Sequence, residues 1–149
     1  MRLKKVLIIF VFCLLIIIPV TYAAEPDITA TSAVTMDCID GKILYSKQMN
    51  DKLYPASLTK VLTAIVVAEN ANLDDKVTMT ESAISHVQSG YLTSGIKVGE
   101  TFTVEELLNL LLISSYNDIS NVLAEHVAGS SEQFVSLMNE KAKEIRMHK

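Results

Sequence analysis

Between Ser32 and Ile39, apolar side chains recur at Val34, Met36 and Cys38, a period of two that predicts a strand. Asp40-Gly41-Lys42 breaks the pattern and Ile43-Leu44-Tyr45 resumes it, which is the signature of a β-hairpin. Asn50–Pro55 reads as a loop that presents Ser57. From Leu58 to Asn70 the pattern changes to a helix that is apolar nearly all round, so burial on most sides is expected, with Ser57 as its N-cap. Val77–Thr80 predicts a short strand, Glu81–Val87 a short helix, and glycine-punctuated Ser89–Glu100 an irregular loop.

Thr103 and Glu106 form a capping-box pattern ahead of Leu107, Leu108, Leu110, Leu111, Leu112 and Ile113, a second helix apolar enough for a core. Ser114–Tyr116 interrupts it. Asn117–Ala128 predicts a third helix closed by Gly129, and Ser131–Arg146 a fourth with one apolar face. A lone two-stranded hairpin is marginal in water, so further strands are expected to complete its sheet.

Ahead of these elements, Arg2, Lys4 and Lys5 precede thirteen residues, Val6–Ile18, in which only Cys13 is not plainly apolar; Thr21-Tyr22-Ala23-Ala24 follows. That order is the layout of a secretory signal peptide over residues 1–23, leaving 24–149 as an exported domain. The run is shorter than the roughly 20 residues of a membrane-spanning helix. The alternative, an uncleaved N-terminal anchor, gives membrane association and the same extracytoplasmic location.

Setting Arg2, Lys4 and Lys5 aside reduces the 13 basic side chains to 10 against 17 acidic ones, a net charge of −7. An acidic domain of this kind argues against nucleic acid as a partner. With Cys13 in the signal, Cys38 stands alone, so the domain is held by an apolar core, and Cys38 reads as a buried structural thiol.

Two short patterns carry candidate chemistry. Ser57-Leu58-Thr59-Lys60 places a hydroxyl and an amine three residues apart on one helix face. Lys60 is the only charged side chain between Lys52 and Glu69, where burial lowers a lysine pKa and lets the amine take a serine proton. Spacing alone is weak: 13 serines in 149 residues give about one such pair by chance, and Ser94–Lys97 is a second, in a loop. On the residues alone, a cap followed by a lysine snorkelling to water remains the competing reading. The other pattern is Ser115-Tyr116-Asn117, where a loop between helices can aim a hydroxyl and a carboxamide into one cleft; Asn117 as a plain helix cap competes with it.

Taken together, in this order, the patterns resemble the serine-type D-alanyl-D-alanine carboxypeptidases, the low-molecular-mass penicillin-binding proteins. Leu53-Tyr54-Pro55-Ala56-Ser57-Leu58-Thr59-Lys60 and Leu110-Leu111-Leu112-Ile113-Ser114-Ser115-Tyr116-Asn117-Asp118 carry the resemblance. Gly99-Glu100, Leu123-Ala124-Glu125, Gly129-Ser130 and Phe134–Asn139 extend it, from about Ala33 to Met147. The resemblance implies an α+β fold of the serine β-lactamase/transpeptidase type. It implies that Ser57 is the acylated nucleophile, Lys60 its general base, Ser115 a proton relay to the leaving group, and Asn117 the holder of the substrate amide. The Ser57 N–H would supply one oxyanion donor. The implied substrate is a peptidoglycan stem peptide ending in D-Ala-D-Ala; β-lactam antibiotics would trap the same serine, and no cofactor is needed.

The sequence departs from the family pattern twice. Tyr116 is bulky where the family usually carries a small residue, which is expected to narrow the cleft or alter substrate preference. The Lys-Thr-Gly strand that supplies the second oxyanion donor does not occur in the 149 residues. The expectation is therefore the N-terminal part of a catalytic domain, its N-terminal strands plus a helical cluster, with a non-catalytic fragment as the rival reading.

A class A β-lactamase fits less well, because its glutamate belongs after the Ser-x-Asn loop, whereas Glu105 and Glu106 precede it. A Ser-His-Asp hydrolase needs a placed histidine, and His86, His126 and His148 read as surface residues. No histidine pair has zinc-site spacing, so no metal is expected.

Overall fold

A computed structural model describes residues 24–147. The signal peptide predicted over residues 1–23, Cys13 within it, and His148 lie outside the described residues. The chain divides into two compact units, one up to Asp51 and one from Lys52.

The first unit is the predicted hairpin. Strands β1 (Ala33–Met36) and β2 (Ile43–Lys47) pair antiparallel, with Val34 opposite Ser46 and Thr35 opposite Tyr45. The turn starts earlier than the alternation suggests. Asp37 Oδ1 accepts from Ile39 N–H at 2.7 Å, and Asp40 Oδ1 from Lys42 N–H at 2.9 Å, so local carboxylate bonds replace ladder bonds. Gly41 sits at φ 72°, the left-handed conformation such a turn demands. Cys38 consequently lies in the turn and is exposed, not the buried thiol expected from a strand running to Ile39.

The second unit is helical. A 3₁₀ turn (Ala56–Leu58) leads into α1 (Thr59–Asn70); α2 (Glu81–Ser85), α3 (Val104–Asn109), α4 (Asn117–Ala128) and α5 (Ser131–Glu144) follow. The short strands β3 (Lys76–Thr78) and β4 (Thr101–Thr103) pair antiparallel. β4 was not legible as a strand, because its three residues end in the threonine that starts α3. That threonine forms the predicted capping box. Thr103 Oγ1 accepts from Glu106 N–H at 3.1 Å, while Glu106 Oε2 accepts from Thr103 N–H at 2.7 Å.

Helix α4 is the axis of the packing. Ile119, Val122, Leu123 and Ala124 are buried against Val66 and Val67 of α1, Ala83 of α2, Leu107 of α3 and Phe134 of α5. Burying each of these larger side chains contributes about 1.5–3 kcal/mol. Gly129 ends the helix at φ 78°, its N–H donating to Glu125 O at 2.8 Å, as the sequence suggested.

Two expectations of deep burial fail. In α1 and the turn before it, Lys60, Thr63, Val66 and Val67 are buried, but Leu58 (73% exposed) and Val61 face water. After α3, the wide turn Leu110–Ser114 buries only Leu111, and Ile113 is 81% exposed. The described residues supply an apolar partner for one face of each segment, so the other face remains uncovered.

Candidate active site

The 3₁₀ turn explains how Ser57 is presented. Ala56 takes a left-handed conformation (φ 49°), and Leu58 N–H bonds back to Pro55 O. Helix α1 then starts at Thr59, one residue later than expected, with Leu58 at its N-cap and no side-chain capping bond. Ser57 does not cap α1; its hydroxyl is left for other partners.

One turn along α1, Lys60 is only 9% exposed. Its ammonium is surrounded by oxygen: Ser115 O at 2.7 Å, Ser115 Oγ at 3.0 Å and Asn117 Oδ1 at 3.1 Å. None of these acceptors carries charge, and burial pushes the Lys60 amine below its ordinary value of 10.5. It does not snorkel to water. Among the described residues it also makes no hydrogen bond to Ser57; that contact passes through Ser115, whose Oγ donates to Ser57 Oγ at 3.0 Å.

Ser115 reaches this position because the chain leaves α3 through a wide π-type turn and then a left-handed residue. Ser115 has φ 60°, and its N–H bonds to Leu111 O at 3.1 Å. Non-glycine residues in this region cost about 1 kcal/mol and persist where neighbouring structure holds them. Two of them bear directly on the hydroxyl pair: Ala56 immediately precedes Ser57, and Ser115 is itself the other member.

Asn117 opens α4 without capping it: its Oδ1 faces Lys60, and its Nδ2 donates to Leu92 O at 3.0 Å. The four predicted residues are thus brought together. Tyr116 packs against the apolar cluster and is not among the residues lining the two cavities beside Ser57. One cavity, of about 670 Å³, runs from Ser57 and Lys60 past Thr63 to Phe134, Val135 and Met138. The other, of about 510 Å³, opens between α1 and the wide turn, with Leu58, Val61 and Leu112 in its wall.

Ser94, which shares a second Ser-x-x-Lys spacing, lies away from this pair and bonds the buried Asp118 carboxylate. Sequence reasoning gave Asp118 no role, although an acidic residue directly following Asn117 at the head of an apolar helix was a usable signal. His86 and His126 are surface residues, His126 lying 3.8 Å from Asp75. Among the described residues, no group of three or more potential metal-ligating side chains converges.

A family model described as D-alanyl-D-alanine carboxypeptidase matches residues 19–149. The chain belongs to that family. It is 40% identical over 121 residues to the D-alanyl-D-alanine carboxypeptidase DacF of Bacillus subtilis, covering 78% of this chain and 30% of that protein. With DacC of Escherichia coli it shares 36% identity over 140 residues, covering 85% and 35%. Among solved structures, the Streptomyces K15 DD-transpeptidase matches with a TM-score of 0.79 at 30% identity, covering 85% of this chain and 52% of that one. The DacD carboxypeptidase of Francisella tularensis matches with a TM-score of 0.77 at 34% identity, covering 87% and 32%. The fold is therefore the penicillin-binding/transpeptidase fold, in part: the chain spans about a third of the length of these curated relatives.

Proposed function

We propose that this family member carries the nucleophilic half of a serine D-Ala-D-Ala carboxypeptidase site, acting outside the cytoplasm on peptidoglycan stem peptides. The supporting observation is the continuous path from Lys60 Nζ to Ser115 Oγ to Ser57 Oγ, each step 3.0 Å, starting at a buried amine. With Lys60 neutral, both bonds reverse direction: Ser57 O–H donates to Ser115, and Ser115 O–H to the amine. Ser57 Oγ then bonds to the carbonyl carbon of the penultimate D-alanine as its proton passes through Ser115 to Lys60. The C–N bond to the terminal D-alanine breaks, the leaving nitrogen takes a proton back along the same path, and water later hydrolyses the ester on Ser57.

Asn117 lines the cleft and holds the substrate amide with the Nδ2 hydrogen that the Leu92 carbonyl does not take, and the Ser57 N–H at the start of the 3₁₀ turn supplies one oxyanion donor. The second donor belongs to a Lys-Thr-Gly strand, which the 149 residues do not contain. β-Lactams present a strained amide to the same serine and acylate it.

Residues 1–23 act in this reading as the export signal. Cleavage releases the domain into the envelope, whereas retention of the apolar segment leaves it membrane-associated; the N-terminal sequence of the processed protein distinguishes the two. Among the described residues no helix is long and apolar enough to cross a membrane.

The deciding experiment joins residues 24–149 to the C-terminal part of the Bacillus subtilis relative and exposes the chimera to a fluorescent penicillin. The expected label maps to Ser57 and disappears in Ser57→Ala. The 149-residue chain alone is expected to label weakly, for want of the second oxyanion donor. A chimera that stays unlabelled while the relative labels, or a label that survives Ser57→Ala, supports the non-catalytic reading instead.

A further inference from the structure

Asp118 is 1% exposed, and among the described residues no cation pairs with it. A buried carboxylate without a counter-ion persists only where hydrogen bonds replace its lost water. Among the described residues Ser94 alone provides them. Ser94 N–H reaches Oδ1 at 3.0 Å and Oδ2 at 3.1 Å, and Ser94 Oγ donates to Oδ2. Ser94 Oγ accepts in turn from Ile96 N–H at 3.1 Å. The first turn of the twelve-residue α4 adds a favourable dipole for the negative charge.

Two residues before Ser94, the carbonyl of Leu92 accepts from both Asn117 N–H and Asn117 Nδ2, each at 3.0 Å. That double acceptance fixes which way the carboxamide faces. Rotated by half a turn, Asn117 would set oxygen against the Leu92 carbonyl and N–H against the Lys60 ammonium, losing both bonds. The loop bearing Leu92 has little stiffness of its own, since Gly90 and Gly95 occupy the left-handed region at φ 92° and 76°. It is attached to the site at two points, the Leu92–Asn117 bonds and the Ser94–Asp118 pair, and only the second is independent of Asn117.

We infer that Asp118 is a positioning residue for the reaction proposed above: through Ser94 it holds the Leu92 carbonyl that turns the Asn117 carboxamide, and so sets the acceptor facing Lys60. The inference rests on that reading of Lys60 as the base, and it concerns the segment Leu92–Ser94, which touches none of the reacting atoms.

Asp118→Ala buries a cavity and removes a charge, so the sharper probe is Ser94→Ala, which leaves every charge in place. The full chain, labelled at its lysines, is titrated by NMR to read the Lys60 midpoint; the other titratable groups lining its cavity are the Tyr54 and Tyr91 phenols. With the carboxamide released, the ammonium loses an acceptor, and the Lys60 midpoint is expected to fall by about half a pH unit in Ser94→Ala. Backbone amide exchange at Asn117 is expected to accelerate roughly tenfold while that of Leu123 stays unchanged. Ser94→Thr, which keeps the hydroxyl, restores both.

The double variant decides whether the effect acts through Asn117. In an Asn117→Ala background, Ser94→Ala is expected to move the midpoint by less than about a tenth of a pH unit. An unchanged Lys60 midpoint in Ser94→Ala, or a shift that persists undiminished without the Asn117 side chain, overturns the inference. Neither readout requires acylation. A silent Ser57 therefore removes the proposed function alone, while a silent Ser94 removes only the positioning role.

Discussion

Ser115 Oγ stands 3.0 Å from Lys60 Nζ, and the same oxygen donates to Ser57 Oγ at 3.0 Å, so one hydroxyl is the only hydrogen-bonded link between the amine and the nucleophile among the described residues. Ser115→Ala removes the link without touching either end. In the penicillin-reactive chimera the acylation rate of Ser57 is expected to fall by about 10²–10⁴-fold, the usual worth of a placed proton-transfer group. Stopped-flow labelling measures it. A fall of less than threefold would mean that Lys60 reaches Ser57 directly.

The depressed pKa of Lys60 also makes a statement about stability. Burial favours the neutral amine in the folded chain, whereas the unfolded chain keeps the ordinary value of 10.5. Between the folded midpoint and 10.5 the unfolded state binds more protons, so unfolding free energy rises with pH across that window. Below the folded midpoint the burial penalty is present in full. Urea melts of the wild type and Lys60→Met at several alkaline pH values are expected to show this upward slope in the wild type only.

Leu123 is 0% exposed at the centre of α4, and Ile113 is 81% exposed on the wide turn. Leu123→Ala is expected to cost about 2–5 kcal/mol through lost burial and the cavity left behind. Ile113→Ala is expected to stay within about 0.5 kcal/mol. Chemical denaturation of the two variants side by side measures the difference.

Gly129 and Ala56 form a matched pair of tests, both with φ in the left-handed region. A Cβ at Gly129 would meet Gln133 Oε1 at 3.5 Å, ordinary contact, so Gly129→Ala is opposed by backbone strain alone. The expected cost is about 1 kcal/mol. Ala56→Gly runs the other way and is expected to gain up to about 1 kcal/mol while loosening Ser57. Thermal melts give the first quantity, and penicillin labelling of the chimera the loosening.

Where the local chemistry was strong, the sequence foretold structure closely. The Thr103–Glu106 capping box and the Gly129 stop appear as expected, because each is decided by residues three or four apart. Ser57, Lys60, Ser115 and Asn117 converge as the resemblance implied, although Ser57 turned out not to cap its helix. Cys38 was misplaced because Asp37 and Asp40 bend the chain before the alternation ends. The Leu92–Asn117 and Ser94–Asp118 bonds join residues 24 or 25 apart through a glycine-rich loop, and nothing in a local pattern reports such pairings.

The recess walled by Leu58, Val61 and Leu112 presents oil to water with no covering layer among the described residues. Such surfaces coalesce unless something keeps the molecules apart, and here that something is like-charge repulsion from 17 acidic against 13 basic side chains. Repulsion of that reach fades once the ionic atmosphere shrinks to about 10 Å, near 0.1 M salt. Colloidal behaviour should accordingly invert the usual laboratory habit: dispersed in dilute buffer, clumping as sodium chloride is added.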